Sequence, residues 1–173
     1  MRDAPPELVA LCRAEHPRLV RALRLITGDV SRAEELAQEA LVRLWQHWRR
    51  VSGLDRPAAW VHRVGVNLAL SDLRRRGAEQ RAMARLDRPG PSTAPDDHDD
   101  VRAALGALPE RQRAAVVLRY LLDLPVADVA AALDLTPGAT RALTHRAVEA
   151  LRARLDVTAP AEIAEPEESP YAP

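Results

Sequence analysis

The chain has 173 residues, 25 basic and 25 acidic side chains, and a formal net charge of zero. That length admits one domain or two of roughly 70–90 residues, and 47% hydrophobic content excludes wholesale disorder. No run reaches the ~18 uncharged apolar residues of a membrane span, charges at Glu7, Arg13, Glu15 and Arg18 break up any early signal-like stretch, and Cys12 stands alone, so a cytoplasmic protein without disulfides is expected.

The zero hides a segregation of charge. Every base is arginine. Residues 1–86 sum to +6, residues 87–100 to −4, residues 101–155 to +3 and residues 156–173 to −5. Charge per block matters more than the total. Both basic blocks have the apolar content needed to fold.

Residues 5–26 carry Leu8, Leu11, Val20, Leu23 and Ile26 at helical spacing, and Thr27-Gly28-Asp29 ends that helix. Ser31-Arg32-Ala33-Glu34 has the form of a capping box. The helix it opens presents Leu36, Ala37, Ala40, Leu41, Leu44, Trp45 and Trp48 as one broad stripe. Residues 51–57 read as a turn, and Pro57 suits the first position of a third helix through Trp60, Val61, Val64, Leu68 and Leu73. Residues 87–100 hold Pro, Gly and Asp with almost nothing apolar, the composition of a flexible linker.

The second block reads as shorter helices. Residues 101–108 form one, and Pro109 opens another through Val116, Val117, Leu118, Tyr120 and Leu121. Asp123-Leu124-Pro125 breaks it. A short helix over residues 125–133, the turn Asp134-Leu135-Thr136 and a longer helix from Pro137 form a helix-turn-helix pattern, with Thr136 placed to cap. The longer helix carries Arg141, His145, Arg146, Arg152 and Arg154 against Glu149, a bias suited to the major groove. Residues 156–173, with four Pro and five acids, read as a disordered tail. The expected fold is all-α: two small helical domains, residues 5–86 and 101–155, joined by the acidic linker of residues 87–100.

Four motifs then occur in order. They are Ala33-Glu-Glu-Leu-Ala-Gln-Glu-Ala-Leu-Val-Arg-Leu-Trp45, the Arg56–Arg76 stretch, Leu108-Pro-Glu-Arg-Gln-Arg-Ala-Ala-Val-Val-Leu-Arg-Tyr120, and Leu133-Asp-Leu-Thr-Pro-Gly-Ala-Thr-Arg-Ala-Leu-Thr-His-Arg-Ala147. Together they resemble the extracytoplasmic-function (ECF) sigma factors of the bacterial sigma-70 family, over about residues 7–155. Thr27-Gly28-Asp29, Trp48-Arg-Arg50 and Thr144 resemble an actinobacterial branch. The resemblance implies a protein that is not an enzyme. It implies binding to core RNA polymerase, through the clamp helices of the largest subunit and the β-flap, and direction of that enzyme to promoter DNA. Region 2 would read the −10 element and region 4 the −35 element. Anti-sigma factors commonly accompany the family, and one is a candidate partner here.

Residue roles follow from that resemblance. Glu34, Glu35, Gln38 and Glu39 would bind core polymerase by charge-assisted hydrogen bonds; as residues alone they equally suit a solvated helix face. Asn67 and Ser71 offer donors and acceptors for the edge of a flipped base, though capping or buried hydrogen bonding would use them too. Arg63, Arg74, Arg75 and Arg76 are candidate phosphate or base contacts, and three adjacent Arg cannot share one helical face. Trp45, Trp48 and Trp60 fall in apolar stripes and read mostly as core. Arg141, Thr144, His145 and Arg146 are the candidate −35 contacts. Here the chain departs from the family: Ala139-Thr140 replaces Thr-Val, Asp134 replaces the usual turn Gly, and Leu143 occupies a commonly polar, groove-facing position, which suggests inward packing.

No metal or cofactor is expected. The His residues at 16, 47, 62, 98 and 145 are scattered, and the seven Gly form no phosphate loop. Two other functions remain compatible with the residues: a helix-turn-helix regulator acting without polymerase, and a helical adaptor with basic faces. The acidic tail could compete with DNA for Arg152 and Arg154, or be an inert terminus.

Overall fold

The computed structural model describes residues 4–83 and 99–155. Among the described residues the elements are all helical, in the order α1 (Pro6–Thr27), α2 (Val30–Gln46), α3 (Trp48–Val51), α4 (Pro57–Met83), α5 (Asp99–Gly106), α6 (Glu110–Val116), α7 (Val126–Leu133) and α8 (Pro137–Arg154). Helix α6 runs on without a break into one π-helical turn, Val117–Leu121. Residues 87–98 of the expected linker and the tail, residues 156–173, lie outside the described residues. Asp99 and Asp100 belong to the first turn of α5.

In the first block α1, α2 and α4 pack around Leu8, Leu19, Leu23, Ile26, Leu36, Leu44, Val61 and Val66. Gly28 ends α1 with φ +73°, a conformation that costs glycine nothing, and its N–H closes on the Arg24 carbonyl at 2.9 Å. The expected cap at Ser31 is displaced. Asp29 is the cap residue: it lies in extended conformation and its carboxylate accepts from the Arg32 N–H at 3.0 Å. The physical reason is the tight Gly28 exit, which starts α2 at Val30 and carries Ser31 into the helix. At the α1–α4 crossing, Gly65 lets the backbone approach Leu19 so closely that a Cβ there would lie 2.8 Å from Leu19 Cδ1.

The second block packs α5 to α8 around Ala114, Ala115, Leu118, Val129 and Leu133. Two turns need left-handed backbone, and aspartate supplies both: Asp123 at φ 52° after the π-turn and Asp134 at φ 53° between α7 and α8. Thr136 caps α8 by accepting from the Ala139 N–H at 3.2 Å. Arg111 donates to the Leu133 carbonyl and so ties α6 to the end of α7.

The blocks are not separate bodies. Buried residues of both join one apolar cluster. Helix α7 lies against α4, and α1 meets α5, α6 and the π-turn. Leu25 of α1 packs on the cluster of Leu105, Leu108 and Ala147. Sequence periodicity located the two helical blocks; it held no sign of this seam, because apolar residues that seal two blocks look the same as those that seal one.

Candidate nucleic-acid interface

Helix α2 buries Ala33, Leu36, Ala37, Ala40 and Leu44, a stripe of seats three and four apart. Glu34, Glu35, Gln38 and Glu39 therefore face solvent. Trp45 corrects the expectation of a core residue: it is 60% exposed, with Val42 47% exposed one turn earlier. Residue 45 lies on the flank of the stripe, so the rim of that acidic face carries a large apolar patch. Trp48 and Trp60 are half-buried against the core, as expected.

Helix α4 turns Asn67, Ser71, Arg74 and Arg75 outward, with Arg63 half-buried on the same side. The three adjacent Arg divide, as their helical spacing required. Arg75 and Arg76 are drawn toward Asp72, whose side chain is 2% exposed: Arg75 Nη2 lies 2.9 Å from Oδ1, and Arg76 Nε lies 2.8 Å from Oδ2. Arg32 of α2 donates to the same Oδ1 at 2.7 Å. Arg76 also reaches Asp29, and Arg75 reaches Glu79. Arg74 instead donates to the Leu70 carbonyl at 3.3 Å, leaving its other donors toward solvent. Burial alone would raise the Asp72 pKa, but hydrogen bonds from Arg32 and Arg75 and the Arg76 charge outweigh it and hold the carboxyl below the usual range. The same contacts raise the Arg32 and Arg75 pKa values.

A second buried polar pair anchors the start of α4. His62 is 1% exposed and its Nε2 meets Glu15 Oε2 at 2.8 Å, while Nδ1 has no partner. Burial pushes the imidazole pKa down, and the Glu15 carboxylate opposes this only in part.

On α8 the outward stripe is Gly138, Arg141, Ala142, His145 and Glu149, with Arg146 beside it. Thr144 is not on it, contrary to the sequence reading. Thr140, Thr144 and Ala147 form the inward stripe, and the Thr144 hydroxyl donates to the Thr140 carbonyl at 2.9 Å. Leu143 packs against the core, in keeping with its apolar side chain. Arg152 pairs with Glu149 at 2.8 Å.

Sequence reasoning passed over Asp72, Glu15 and His62. Among the described residues no group of three or more His, Cys, Asp or Glu is placed to hold a metal ion. No helix among them is long and apolar enough to cross a membrane.

A helix-turn-helix presenting a basic outward stripe, beside a helical block with a second Arg/Asn/Ser face, defines a DNA-binding protein of two helical parts. Comparison with known proteins narrows the class. Residues 11–79 match sigma-70 region 2, and residues 98–151 match sigma-70 region 4. The chain is 33% identical over 143 residues to the ECF RNA polymerase sigma factor SigL of Mycobacterium tuberculosis, covering 78% of this chain and 80% of that one. It is 29% identical over 146 residues to the RNA polymerase sigma-E factor of Streptomyces coelicolor, covering 83% and 82%. Its fold is similar to the sigma factor RpoE of Bartonella quintana, solved with the anti-sigma factor NepR, at a TM-score of 0.74 and 23% identity over 88% of this chain and 96% of that one. CnrH, solved with the cytosolic domain of CnrY, has a TM-score of 0.62 at 24% identity, covering 88% and 89%. The chain belongs to the ECF sigma factors of the sigma-70 family, and it is an RNA polymerase sigma factor.

Proposed function

We propose that residues 5–86 act as region 2 and residues 101–155 as region 4, and that the chain brings cytoplasmic core RNA polymerase to promoter DNA without catalysing a reaction itself. The observation that carries this is the separation of three exposed faces. An acidic face on α2 (Glu34, Glu35, Gln38, Glu39) continues into exposed Val42 and Trp45. A polar and basic face on α4 holds Asn67, Ser71 and Arg74, and a basic stripe on α8 holds Arg141, His145 and Arg146. The α2 face suits a basic helix of core polymerase: carboxylates pair with guanidinium groups around an apolar anchor. Asn67 and Ser71 read the −10 strand, and Arg63, Arg74 and Arg75 hold its backbone. Arg76 contributes through Asp72 rather than by touching DNA. Arg141, His145 and Arg146 meet the −35 element; Thr144 positions α8 from beneath.

Run-off transcription on a genomic fragment library tests the reading. Fragments transcribed only when the chain joins core polymerase support it. A library without transcripts above the core-only level, together with tight operator binding by the chain alone, supports the regulator acting without polymerase instead. RpoE, whose fold is similar, was captured with the anti-sigma factor NepR; an anti-sigma partner for this chain is the corresponding proposal, tested by co-purification.

A further inference from the structure

The acidic face of α2 and the basic face of α4 share one arginine. Arg32 stands in the first turn of α2. Its Nη1 pairs with Glu35 of the α2 face, and its Nη2 donates to Asp72 Oδ1 at 2.7 Å. Arg75 of the α4 face donates to that same oxygen at 2.9 Å. A line of alternating charge therefore runs Glu35–Arg32–Asp72–Arg75. It leads from a carboxylate that is 63% exposed, through one that is 2% exposed, to a guanidinium that is 59% exposed. Glu39, on the same acidic face, pairs instead with Arg43 of its own helix.

The middle of the line is incompletely satisfied. Arg32 Nε is buried without a hydrogen-bond partner. Asp72 Oδ2 accepts no aligned hydrogen bond, although Arg76 Nε lies 2.8 Å away. A guanidinium presents Nε–H and Nη2–H as one fork that fits both oxygens of a carboxylate. Arg32 does not close that fork on Asp72, because its Nη1 is drawn to Glu35. A partner's cation seated on Glu35 would remove that pull and repel Arg32. Arg32 would then close on both Asp72 oxygens, giving Nε and Oδ2 their missing partners and displacing Arg75 from Oδ1. Arg75 would keep Glu79 alone, an exposed pair that yields readily to a phosphate.

We infer that Arg32 and Asp72 are positioning residues that make Arg75 a conditional DNA contact, held on Asp72 while Glu35 holds Arg32 and released to a phosphate when a partner's cation takes Glu35. This rests on the assignment of the α2 face to core polymerase and of the α4 face to DNA. The coupling is reciprocal. A phosphate that takes Arg75 leaves Asp72 to draw Arg32 off Glu35, which favours the partner's cation.

Glu35→Gln in the full chain imitates the engaged state, and the exposed position leaves the fold intact. The probe is a fluorescent single-stranded DNA oligonucleotide, titrated over a range of salt. Glu35→Gln is expected to tighten binding about threefold, the scale of one exposed ion pair, and to steepen the log affinity–log salt plot by about 0.7, one more phosphate contact. Glu39→Gln removes the same charge outside the line and is expected to leave the slope unchanged. The Glu35→Gln gain should vanish in an Arg32→Gln or an Arg75→Gln background. A Glu35→Gln effect no larger than that of Glu39→Gln, or one that survives Arg32→Gln, overturns the relay. With core polymerase, the loss of run-off caused by Arg75→Gln should shrink at least about threefold in an Arg32→Gln background; equal losses in both backgrounds overturn it as well. Arg74→Gln separates the two failures. If it leaves affinity and slope unchanged, the α4 face does not meet DNA and the proposed function fails there. If it weakens binding while Glu35→Gln matches Glu39→Gln, the relay alone fails.

Discussion

Asp72 is the place where one substitution should do most harm in the first block. Its carboxylate is 2% exposed and meets Arg32, Arg75 and Arg76 at 2.7, 2.9 and 2.8 Å. Asp72→Ala leaves three guanidinium groups without their common anion. Removing one partner of a fully buried ion pair costs about 3–5 kcal/mol. Here the Arg side chains are 28%, 59% and 32% exposed, so they rehydrate in part. Arg32 also keeps Glu35, and Arg75 keeps Glu79. The expected loss is therefore about 2–3 kcal/mol, or a fall of about 6–10 °C in the melting temperature for a chain of this length. The pH dependence has a definite sign. The folded-state pKa of Asp72 lies below its unfolded value near 4. Its contribution is complete above that unfolded value and is lost as the pH falls through the folded value. Thermal and urea unfolding of wild type and Asp72→Ala at pH 7 and pH 3 should show a wide gap at neutral pH and a narrow one in acid. A neutral-pH loss below about 0.5 kcal/mol, or a gap that ignores pH, would refute the claim that this carboxylate anchors α2 to α4.

Glu15→Ala should leave His62 buried with neither nitrogen partnered, a loss of about 1–3 kcal/mol by urea unfolding at pH 7.5. Because burial lowers the His62 pKa, that residue's contribution in the wild type is complete above its unfolded value of about 6.5 and erodes as the pH drops, which melts between pH 7.5 and 5.5 will register. Trp45→Ala should change stability by less than about 1 kcal/mol, since the ring is mostly exposed, yet weaken core polymerase binding about tenfold or more in a competition assay. Arg141→Ala should reduce promoter-specific run-off about 10- to 100-fold while leaving the fold intact, whereas Thr144→Val should spare −35 discrimination, because its hydroxyl is spent on the Thr140 carbonyl.

The helical blocks, their turns and the helix-turn-helix were legible because they rest on local rules. Gly28, Pro57, Asp134 and Thr136 each do the job their side chain or backbone dictates. The inward stripe Thr140, Thr144 and Ala147 was equally legible from its spacing. The family motif drew attention to Thr144 as a contact, and periodicity was the better guide to its orientation. Trp45 misled in the opposite way: a wide apolar stripe does not say which edge is buried until the neighbouring helices are placed. The Asp72 and Glu15–His62 clusters were hidden because their partners lie 40 and 47 residues apart in the chain. Nothing local distinguishes a buried aspartate among arginines from one on a solvated face. The seam was hidden for the same reason.

The arginine-only composition has a structural meaning that the charge sum conceals. A guanidinium offers five donors in a planar fork, so it can serve a carbonyl and a carboxylate at once where lysine offers a single point charge. The chain uses this at helix ends, where carbonyls lack partners in their own helix. Arg111 serves Leu133 at the end of α7, Arg113 serves Ile26 at the end of α1 and Gly106 at the end of α5, and Arg119 serves Leu124 after the π-turn. Arg32, Arg75 and Arg76 converge on Asp72. The 16 and eight Arg of the two blocks therefore overstate the number of guanidinium groups free to contact DNA. Several are bound into the architecture, and on the two proposed DNA faces the outward charge rests on Arg74 of α4, on Arg75, which is shared with Asp72, and on Arg141 and Arg146 of α8. A weak outward charge fits a protein whose promoter affinity must come from its complex with core polymerase, since each phosphate contact adds to affinity through counterion release and these faces offer few such contacts.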